Sequence, residues 1–467
     1  MNKSRLDLRY ILYDMVASLL VWVAFVIFRK TVNDIQIFDG IRIFIPNYDY
    51  FTSLLLFPFC CVFVHYLSGF YLNPLKKSRI QVVLSTITSS AIIALSVFLI
   101  LKLGDAVASY EYFYFSLLVL FGLLFCFTYF FRNIIFSQIQ HNYKIKKWTI
   151  NTLIIGAGNN AKKIADEMEK HAQRNTLIGF VAVGKKVSVP AEQILGNMSQ
   201  IGSLIERYDI HETIVVLEDD ADEKQLFKII NLLYSFDVEI QFTPRLYEIL
   251  IGSAKIAHMG IIPLVSITNS SMSDSELCLK RFFDIVISFF TLLFVSPFLL
   301  YFMIKIKCDS RGPIFYRQER IGRFGKPFNI LKFRTMYPDA ENGTPKLSSA
   351  NDDRITPVGR MLRKYRIDEI PQFWNILKGD MSLVGPRPER RYYINRIIED
   401  APYYCLIYKI RPGLTSWGPI KIGYSDTVEK MIERLNFDII YMENMSLLTD
   451  VKILLYTIEI IFRGKGV

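Results

Sequence analysis

The sequence predicts a membrane protein of mixed α and α/β class. Three observations carry that expectation. The mean hydropathy is +0.27 over 467 residues. Four apolar stretches lie near the N-terminus, each close to the ~20 residues a transmembrane helix requires. Strand-like and helix-like segments then alternate from Trp148 onward. At this length two or three domains are expected.

The apolar stretches run from Tyr10 to Phe28, Tyr50 to Tyr71, Gln81 to Leu103 and Tyr110 to Phe131, and predict a four-helix transmembrane bundle within residues 1–136. Lys3, Arg5 and Arg9 precede the first as they would in a signal peptide, but no small-residue cleavage site follows, so the segment is expected to be retained. Lys76, Lys77 and Arg79 lie between the second and third stretches, and Arg132, Lys144, Lys146 and Lys147 follow the fourth, whereas the loop after the third carries only Asp105. Cations gather on the cytoplasmic side of a membrane, so both ends of the bundle are expected there. Asp14 falls inside the first stretch, where a carboxylate is either functional or reaches the interface at the basic end.

From Trp148 the runs TINTLIIGAG, NNAKKIADEMEKHA, LIGFVAV, ETIVVLEDD and EKQLFKIINLLYSF alternate strand and helix. That alternation predicts a Rossmann-like parallel α/β domain over residues 137–265 with right-handed crossovers. The turn Gly156-Ala157-Gly158-Asn159-Asn160-Ala161 joins a strand to a helix, the setting in which glycines let a backbone approach a pyrophosphate. No acidic residue follows clearly at the end of the second strand, so a plain tight turn fits as well. Asp220-Ala221-Asp222 has the form of a metal-binding DxD, but after a strand and before a helix it reads as a cap.

The formal net charge of +11 attracts nucleic acid, anionic lipid or phosphorylated substrates alike. The six cysteines, Cys60, Cys61, Cys126, Cys278, Cys308 and Cys405, form no zinc spacing and fit a reduced compartment. His258 is the last histidine, so everything after it works without imidazole.

A fifth apolar stretch, Phe282 to Ile306, follows Lys280-Arg281 and carries Ser296-Pro297 at its centre. Proline inside a helix removes a hydrogen bond and clashes with the carbonyl four residues back. A full crossing would also put the basic remainder of the chain outside, against the charge trend. A re-entrant membrane helix hairpin over 280–306 avoids both problems, with the Ser296 hydroxyl available to satisfy freed backbone. A proline-kinked fifth span is the alternative.

Downstream, PIFYRQERIGRFGKPFNILKFRTM, ITPVGRMLRKYRIDEIPQFWNILKGDMSLVGPRPERR and IRPGLTSW mix cations with glycine and proline. Such loops suit several guanidinium forks held against phosphates, and a diphosphate substrate matches them. The nucleophile or base there must be a carboxylate, hydroxyl or lysine, and Asp368-Glu369 is the best situated pair. Pro371, QFWNILK and Gly379 read as a short helix with Asp368 at or near its N-cap. A divalent cation, Mg²⁺ by its preference for carboxylate and phosphate oxygens, would offset repulsion between that carboxylate and a bound phosphate. An ordinary cap paired with Arg363 or Arg366 fits the spacing equally.

From Lys280 to the C-terminus these residues resemble the monotopic polyprenyl-phosphate phosphoglycosyltransferases, on KRFFDI, the Ser296-Pro297 break, KFRTM, DEIPQFWNILKGDMSLVGPRP and RPGLTSW. The preceding spans and Rossmann-like unit are similar to the extension of the long undecaprenyl-phosphate glucose/galactose phosphotransferase subgroup. The resemblance implies a mainly helical catalytic domain over 266–467, anchored by the re-entrant hairpin, in a bacterial inner membrane with its soluble parts cytoplasmic. It implies attack by Asp368 on the β-phosphate of a UDP-sugar, release of UMP, and transfer of the phosphosugar to undecaprenyl phosphate. Asp368 and Glu369 would hold Mg²⁺; Lys332, Arg334 and Thr335 would line the phosphate site; Arg387, between Pro386 and Pro388, would grip the diphosphate, with Arg411 and Trp417 completing the pocket. Lys280 and Arg281 would meet lipid phosphates or anchor at the interface. The expected partners are the two substrates and membrane lipid, not nucleic acid, and the N-terminal part would support a homodimer. One departure stands out: after Trp417 the family continues Ala-Gln-Val-Asn-Gly, whereas this chain has Gly418-Pro419-Ile420-Lys421-Ile422-Gly423. A non-catalytic membrane scaffold, or a glycosyltransferase that releases UDP, are the competing functions.

Overall fold

A computed structural model describes residues 3–33, 50–72, 74, 77–104, 110–146, 148–171, 174–183, 187–216, 223–234, 236, 238–243, 256–259, 262–266, 271–337, 352–423 and 427–462. The chain forms two compact units, Met1–Trp148 with Ser273–Lys280, and Thr149–Met272 with Arg281–Val467.

The first unit contains helices α1 (Lys3–Asn33), α2 (Tyr50–Leu67), α3 (Arg79–Gly104) and α4 (Tyr110–Lys144). Val21, Phe25, Phe57, Cys61, Ile93 and Leu124 fill the space between them, while Leu12, Leu55, Leu95 and Leu118 point outward and are exposed. Apolar side chains on both the inner and outer surfaces mark helices bathed in lipid. Within these helices Leu6–Phe28, Arg79–Leu99 and Tyr114–Lys144 are long and apolar enough to cross. The 18 residues of α2 give it ~27 Å at 1.5 Å per residue, about the hydrocarbon thickness.

Asp14 and Arg132 are not the interface carboxylate and loop cation that their local context suggests. Each is fully buried, and they form a two-pronged pair, Arg132 Nε to Oδ1 at 3.0 Å and Nη2 to Oδ2 at 2.7 Å. Tyr71 donates to the same carboxylate at 2.8 Å, and Arg132 Nη1 to Thr86 Oγ1 at 2.9 Å. Asp14 therefore does not reach the interface, because its counter-charge is inside the bundle. Arg132 is an interior group of α4 and not a loop cation, which leaves Lys144 at the end of that helix and Lys146 just after it as the described cations there.

In the second unit β1 (Ile150–Ile155), α5 (Asn159–His171), β2 (Asn175–Ala182), β3 (Ile194–Asn197), α6 (Ile201–Arg207), β4 (Glu212–Val215), α7 (Glu223–Leu233) and β5 (Glu239–Phe242) alternate as expected. The sheet order is β3-β2-β1-β4-β5, followed by two further strands. Its first five strands are parallel, and an antiparallel hairpin, β6 (Ile256–Met259) and β7 (Ile262–Ser266), extends the edge beside β5. The strand-by-strand alternation did not reveal that hairpin, since it lacks the intervening helix that signals a crossover. The Asp220-Ala221-Asp222 motif lies outside the described residues.

Gly156 explains its own turn. Its φ is +134°, and a Cβ there would sit 2.0 Å from the Val216 carbonyl oxygen. The close approach of β1 and β4 requires glycine with or without a ligand.

Helix α8 (Asp274–Asp309) contains Pro297. Pro297 cannot donate to the Leu293 carbonyl four residues back; the Ser296 hydroxyl donates to that carbonyl instead, at 2.7 Å. The helix is nearly bare, with Phe289, Phe290, Phe294, Phe298 and Ile304 exposed. After residue 280 it meets the rest of its unit at both ends. Arg281 donates to the Ile376 and Leu377 carbonyls, and Asp284 accepts from Leu383 N. Ile306 packs with Phe333 and Leu362.

The remaining elements are the antiparallel hairpin β8 (Phe315–Ile321) and β9 (Pro327–Phe333), α9 (Pro357–Lys364), α10 (Gln372–Lys378), β10 (Ser382–Val384), α11 (Arg391–Asp400), β11 (Gly413–Thr415), α12 (Trp417–Ile422), α13 (Val428–Glu443) and α14 (Leu447–Phe462). β10 and β11 pair in parallel.

Gly156→Ala should lower the thermal midpoint of the purified protein. The backbone strain and the clash together cost at least ~1–3 kcal/mol, and a midpoint equal to wild type would show that the β1–β4 contact is looser than described.

Candidate active site

Helix α9 begins at an N-cap, Thr356, whose hydroxyl accepts from Gly359 N, with Pro357 at its first position. It ends at Lys364, and Arg366 then adopts the left-handed region at φ 54°, a conformation that costs a non-glycine residue ~1–2 kcal/mol. That reversal leads directly into a 3-10 turn, Ile367–Glu369, followed by Pro371 as the N-cap of α10 and Gly379 as its stop. Asp368 therefore lies in the turn ahead of α10 and not at its cap, because proline takes the cap position.

Asn375, buried on α10, ties this turn to the β-hairpin. Its Oδ1 accepts from Leu331 N at 3.0 Å and its Nδ2 donates to the Asn329 carbonyl at 2.8 Å. Lys332, next along β9, is thereby held beside the dyad, with Nζ 2.7 Å from Glu369 Oε1. Arg366 Nη1 lies 3.3 Å from Glu369 Oε2, and Arg387 Nη2 lies 3.8 Å from Oε1. Glu369 is thus shared among three cations.

Asp368 is different. It is buried and lies in the field of Lys332, Arg363 and Arg366, yet it makes no hydrogen bond or ion pair among the described residues. Burial pushes its carboxyl above the usual carboxylate range; Lys332 opposes the rise and the charge of Glu369 adds to it. For Glu369 burial acts in the same upward direction, but Lys332, Arg387 and Arg366 outweigh it and hold the group well below its ordinary value. One member of the dyad is neutralised by cations, and the other keeps its oxygen lone pairs unused. Arg363 does not pair with Asp368; its Nε donates to Thr335 Oγ1 at 2.9 Å.

The oxygen donors of this dyad suit Mg²⁺, which takes one or two carboxylates and completes its shell with phosphates and water. Among the described residues no group of three His, Cys, Asp or Glu comes together, so a metal here would depend on substrate oxygens.

The other expected residues divide. Lys332 and Arg387 lie beside the dyad through the contacts above, and Thr335 is bonded to Arg363, one of the cations in whose field Asp368 lies. Arg334 is buried and directs Nη2 at Ser310 O, 2.6 Å, near the C-terminus of α8, while its Nε and Nη1 are buried without a partner. Arg281 and Arg411 both cap the C-terminal end of α10, Arg411 through Nε to the Gly379 carbonyl at 3.0 Å. Arg281 is thus engaged by protein carbonyls; Lys280 is half-buried one residue earlier. Trp417 packs edge-on against Tyr456 of α14 at 5.7 Å, and no contact with the dyad is described. Pro386 and Pro388 hold the Arg387 loop through their carbonyls, which accept from Gly413 N at 2.9 Å and Arg320 Nη1 at 3.1 Å.

Sequence reasoning missed the support beneath that loop. Glu389 is buried between Arg320, at 3.2 Å, and Arg434 of α13. Asp438, one helical turn beyond Arg434, accepts from the backbone of Gly418 and Arg387. A glutamate directly after Pro-Arg-Pro was the available signal. The same support accounts for the first residue of the departure after Trp417: a Cβ at Gly418 would lie 2.2 Å from Arg434 Cγ, so glycine leaves room for the Arg434 side chain that reaches Glu389.

Burial raises Glu389, but Arg434, Arg320 and Arg387 more than reverse this and depress its pKa. A depressed folded-state pKa contributes stability that is present above the unfolded value, ~4.3, and is lost as pH falls through the folded value. Glu389→Gln should therefore destabilise by ~3–5 kcal/mol at pH 7, with the gap from wild type closing below pH ~4.3. Thermal unfolding at both pH values measures it, and a gap independent of pH would contradict the assignment.

Comparison with known proteins bears on the same residues. The family model described as bacterial sugar transferase matches residues 275–464, and one described as a CoA-binding domain matches residues 66–244. The chain is 35% identical over 229 residues to the UDP-N-acetylgalactosamine-undecaprenyl-phosphate N-acetylgalactosaminephosphotransferase of Aeromonas hydrophila, covering 49% of this chain and 53% of that one. It is 32% identical over 293 residues to the UDP-glucose:undecaprenyl-phosphate glucose-1-phosphate transferase of Escherichia coli, covering 62% of each. Against the enzyme of the same name from Caulobacter vibrioides identity is 43% over 185 residues, 38% of this chain and 68% of that one. The matches thus span about half to two thirds of these relatives' lengths. On these matches the chain belongs to the bacterial sugar transferase family.

Proposed function

We propose that this protein transfers a sugar-1-phosphate from a UDP-sugar to undecaprenyl phosphate, releasing UMP, as the priming step of exopolysaccharide, capsule or O-antigen synthesis. The observation that carries the reading is the unpartnered, buried carboxylate of Asp368 beside the cation-clamped Glu369. A nucleophile needs a free lone pair, and a transferring phosphoryl group needs positive charge around it.

In the first step an Asp368 oxygen attacks the β-phosphorus of the donor. The bond from that phosphorus to the bridging oxygen breaks, UMP leaves with the oxygen, and the phosphosugar remains esterified to Asp368. In the second step a phosphate oxygen of the polyprenyl carrier attacks the same phosphorus and displaces the carboxylate. Lys332 and Arg387 supply charge at the phosphates, and Glu369 holds both cations in position before the donor arrives. Mg²⁺, held by Asp368 and Glu369, would neutralise phosphate charge that the lysine and arginines leave uncompensated.

The acceptor is insoluble in water and the donor in lipid, so the site must lie at the boundary. A re-entrant α8 would provide this, in a bacterial inner membrane with the soluble parts on the cytoplasmic side. The Ser296 hydroxyl at the Leu293 carbonyl, and the contacts of Arg281 and Ile306 with the same folded unit, support that reading. A glycosyltransferase moving the sugar alone would release UDP, which separates the two chemistries.

Asp368→Asn should abolish UMP release from every UDP-sugar in a panel with undecaprenyl phosphate, while the variant still inserts and elutes as wild type does. UMP release at the normal rate from this variant, or UDP release from the wild type, would overturn the proposal.

A further inference from the structure

Residues Pro402–Lys409 form a 3-10 helix, whose three residues per turn give it three separate faces. Cys405 and Tyr408 share one. Cys405 is fully buried in the core of the Rossmann-like unit with Ile229, Leu233, Tyr234 and Ile240, and Tyr408 packs on that core. Tyr404 and Ile407 share the next face and are buried in a different core, with Ile321, Ile394 and Leu435. On the third face Tyr403 meets Phe227 of α7 at 6.2 Å, ring edge to ring face. Tyr234 and Tyr408 make a second such contact at 6.3 Å. One short helix therefore belongs to two hydrophobic cores at once.

The same helix borders the Arg387 loop. Tyr404 and Tyr408 line a small, open cleft together with Arg387 and Pro388. Its last carbonyl, Lys409 O, accepts from Arg323 Nε at 3.1 Å, and the chain continues directly to Arg411. By contrast the dyad is fixed from another direction, through Asn375 and β9.

We propose that the Rossmann-like unit is a working part of the donor site: Phe227 and Tyr234 hold the 402–409 helix, and with it Tyr408, at the distance from Arg387 that admits the nucleotide end of the UDP-sugar. Phe227 and Tyr234 are positioning residues, since they act through Tyr403 and Tyr408. The inference rests on the transfer reading above, in which Arg387 faces the donor. Interiors are close-packed and a missing ring leaves a void that its neighbours close only in part. Loss of Phe227 therefore lets the shared helix shift, changing the cleft while the dyad stays where Asn375 holds it.

The test is steady-state kinetics of the full-length protein in lipid nanodiscs, with UDP-sugar and undecaprenyl phosphate varied separately. Phe227→Ala is expected to raise KM for the UDP-sugar about 3- to 10-fold, the range of a lost aromatic pair. Its kcat and its KM for undecaprenyl phosphate should stay within about twofold, because donor and acceptor react in separate half-reactions. Phe227→Tyr keeps the ring and should restore the donor KM. Tyr403→Ala, made from the other side of the contact, should reproduce the shift, and the double variant should add nothing to it. An unchanged donor KM in both single variants overturns the inference, as does a fall in kcat with both KM values unchanged. If wild type releases no UMP from any UDP-sugar, the transfer reading fails and the inference falls with it; UMP release by wild type with an unshifted Phe227→Ala sinks the inference alone.

Discussion

Two adjacent carboxylates in one buried turn cannot both remain unpaired, and the way this protein resolves that conflict organises the rest of its catalytic half. Glu369 takes Lys332, Arg366 and Arg387, and Asp368 is left with free oxygens in a field those cations have already made positive. Each cation comes from a different piece of chain: a hairpin strand, a left-handed residue after α9, and the Pro-Arg-Pro loop. Holding all three within reach of one side chain is the structural task that the surrounding elements perform. The price is visible at Arg366, a non-glycine residue at φ 54°.

The supports of those cations can be followed outward. Asn375 fixes the hairpin that carries Lys332. Glu389, Arg434 and Asp438 brace the Arg387 loop from α13, and the 402–409 helix joins that loop's surroundings to the Rossmann-like core. Buried ion clusters such as Arg320-Glu389-Arg434 add little net stability compared with apolar packing, but breaking one partner is costly. Such a cluster suits a loop that must hold one geometry. The bundle holds a similar buried pair, Asp14 with Arg132, completed by Tyr71 and Thr86.

Much of this architecture was legible in sequence. Hydropathy located the N-terminal helices, alternation located β1, α5, β2, β4 and α7, and proline and glycine bounded α10. The dyad came from the residue types left once histidine is absent, and Lys332 from the family resemblance. What stayed hidden depended on contacts distant in the chain. Asp14 and Arg132 are 118 residues apart, and local context suggested an interface carboxylate and a loop cation. Arg281 was expected at lipid phosphates or as an interface anchor and Arg411 in the substrate pocket; a sequence does not show that both also donate to carbonyls at the open end of α10. The edge hairpin β6-β7 and the shared 3-10 helix lack the periodicity on which sequence reading relies.

The central claim is that Asp368 is esterified by a phosphosugar during turnover. Rapid quenching of purified protein with a radiolabelled UDP-sugar in the absence of acceptor, followed by peptide mass spectrometry, tests it most directly. A phosphosugar mass on the peptide containing Asp368, discharged when undecaprenyl phosphate is added, is the predicted result. UMP release at full rate with no adduct on that peptide, or with the adduct on another residue, would contradict it.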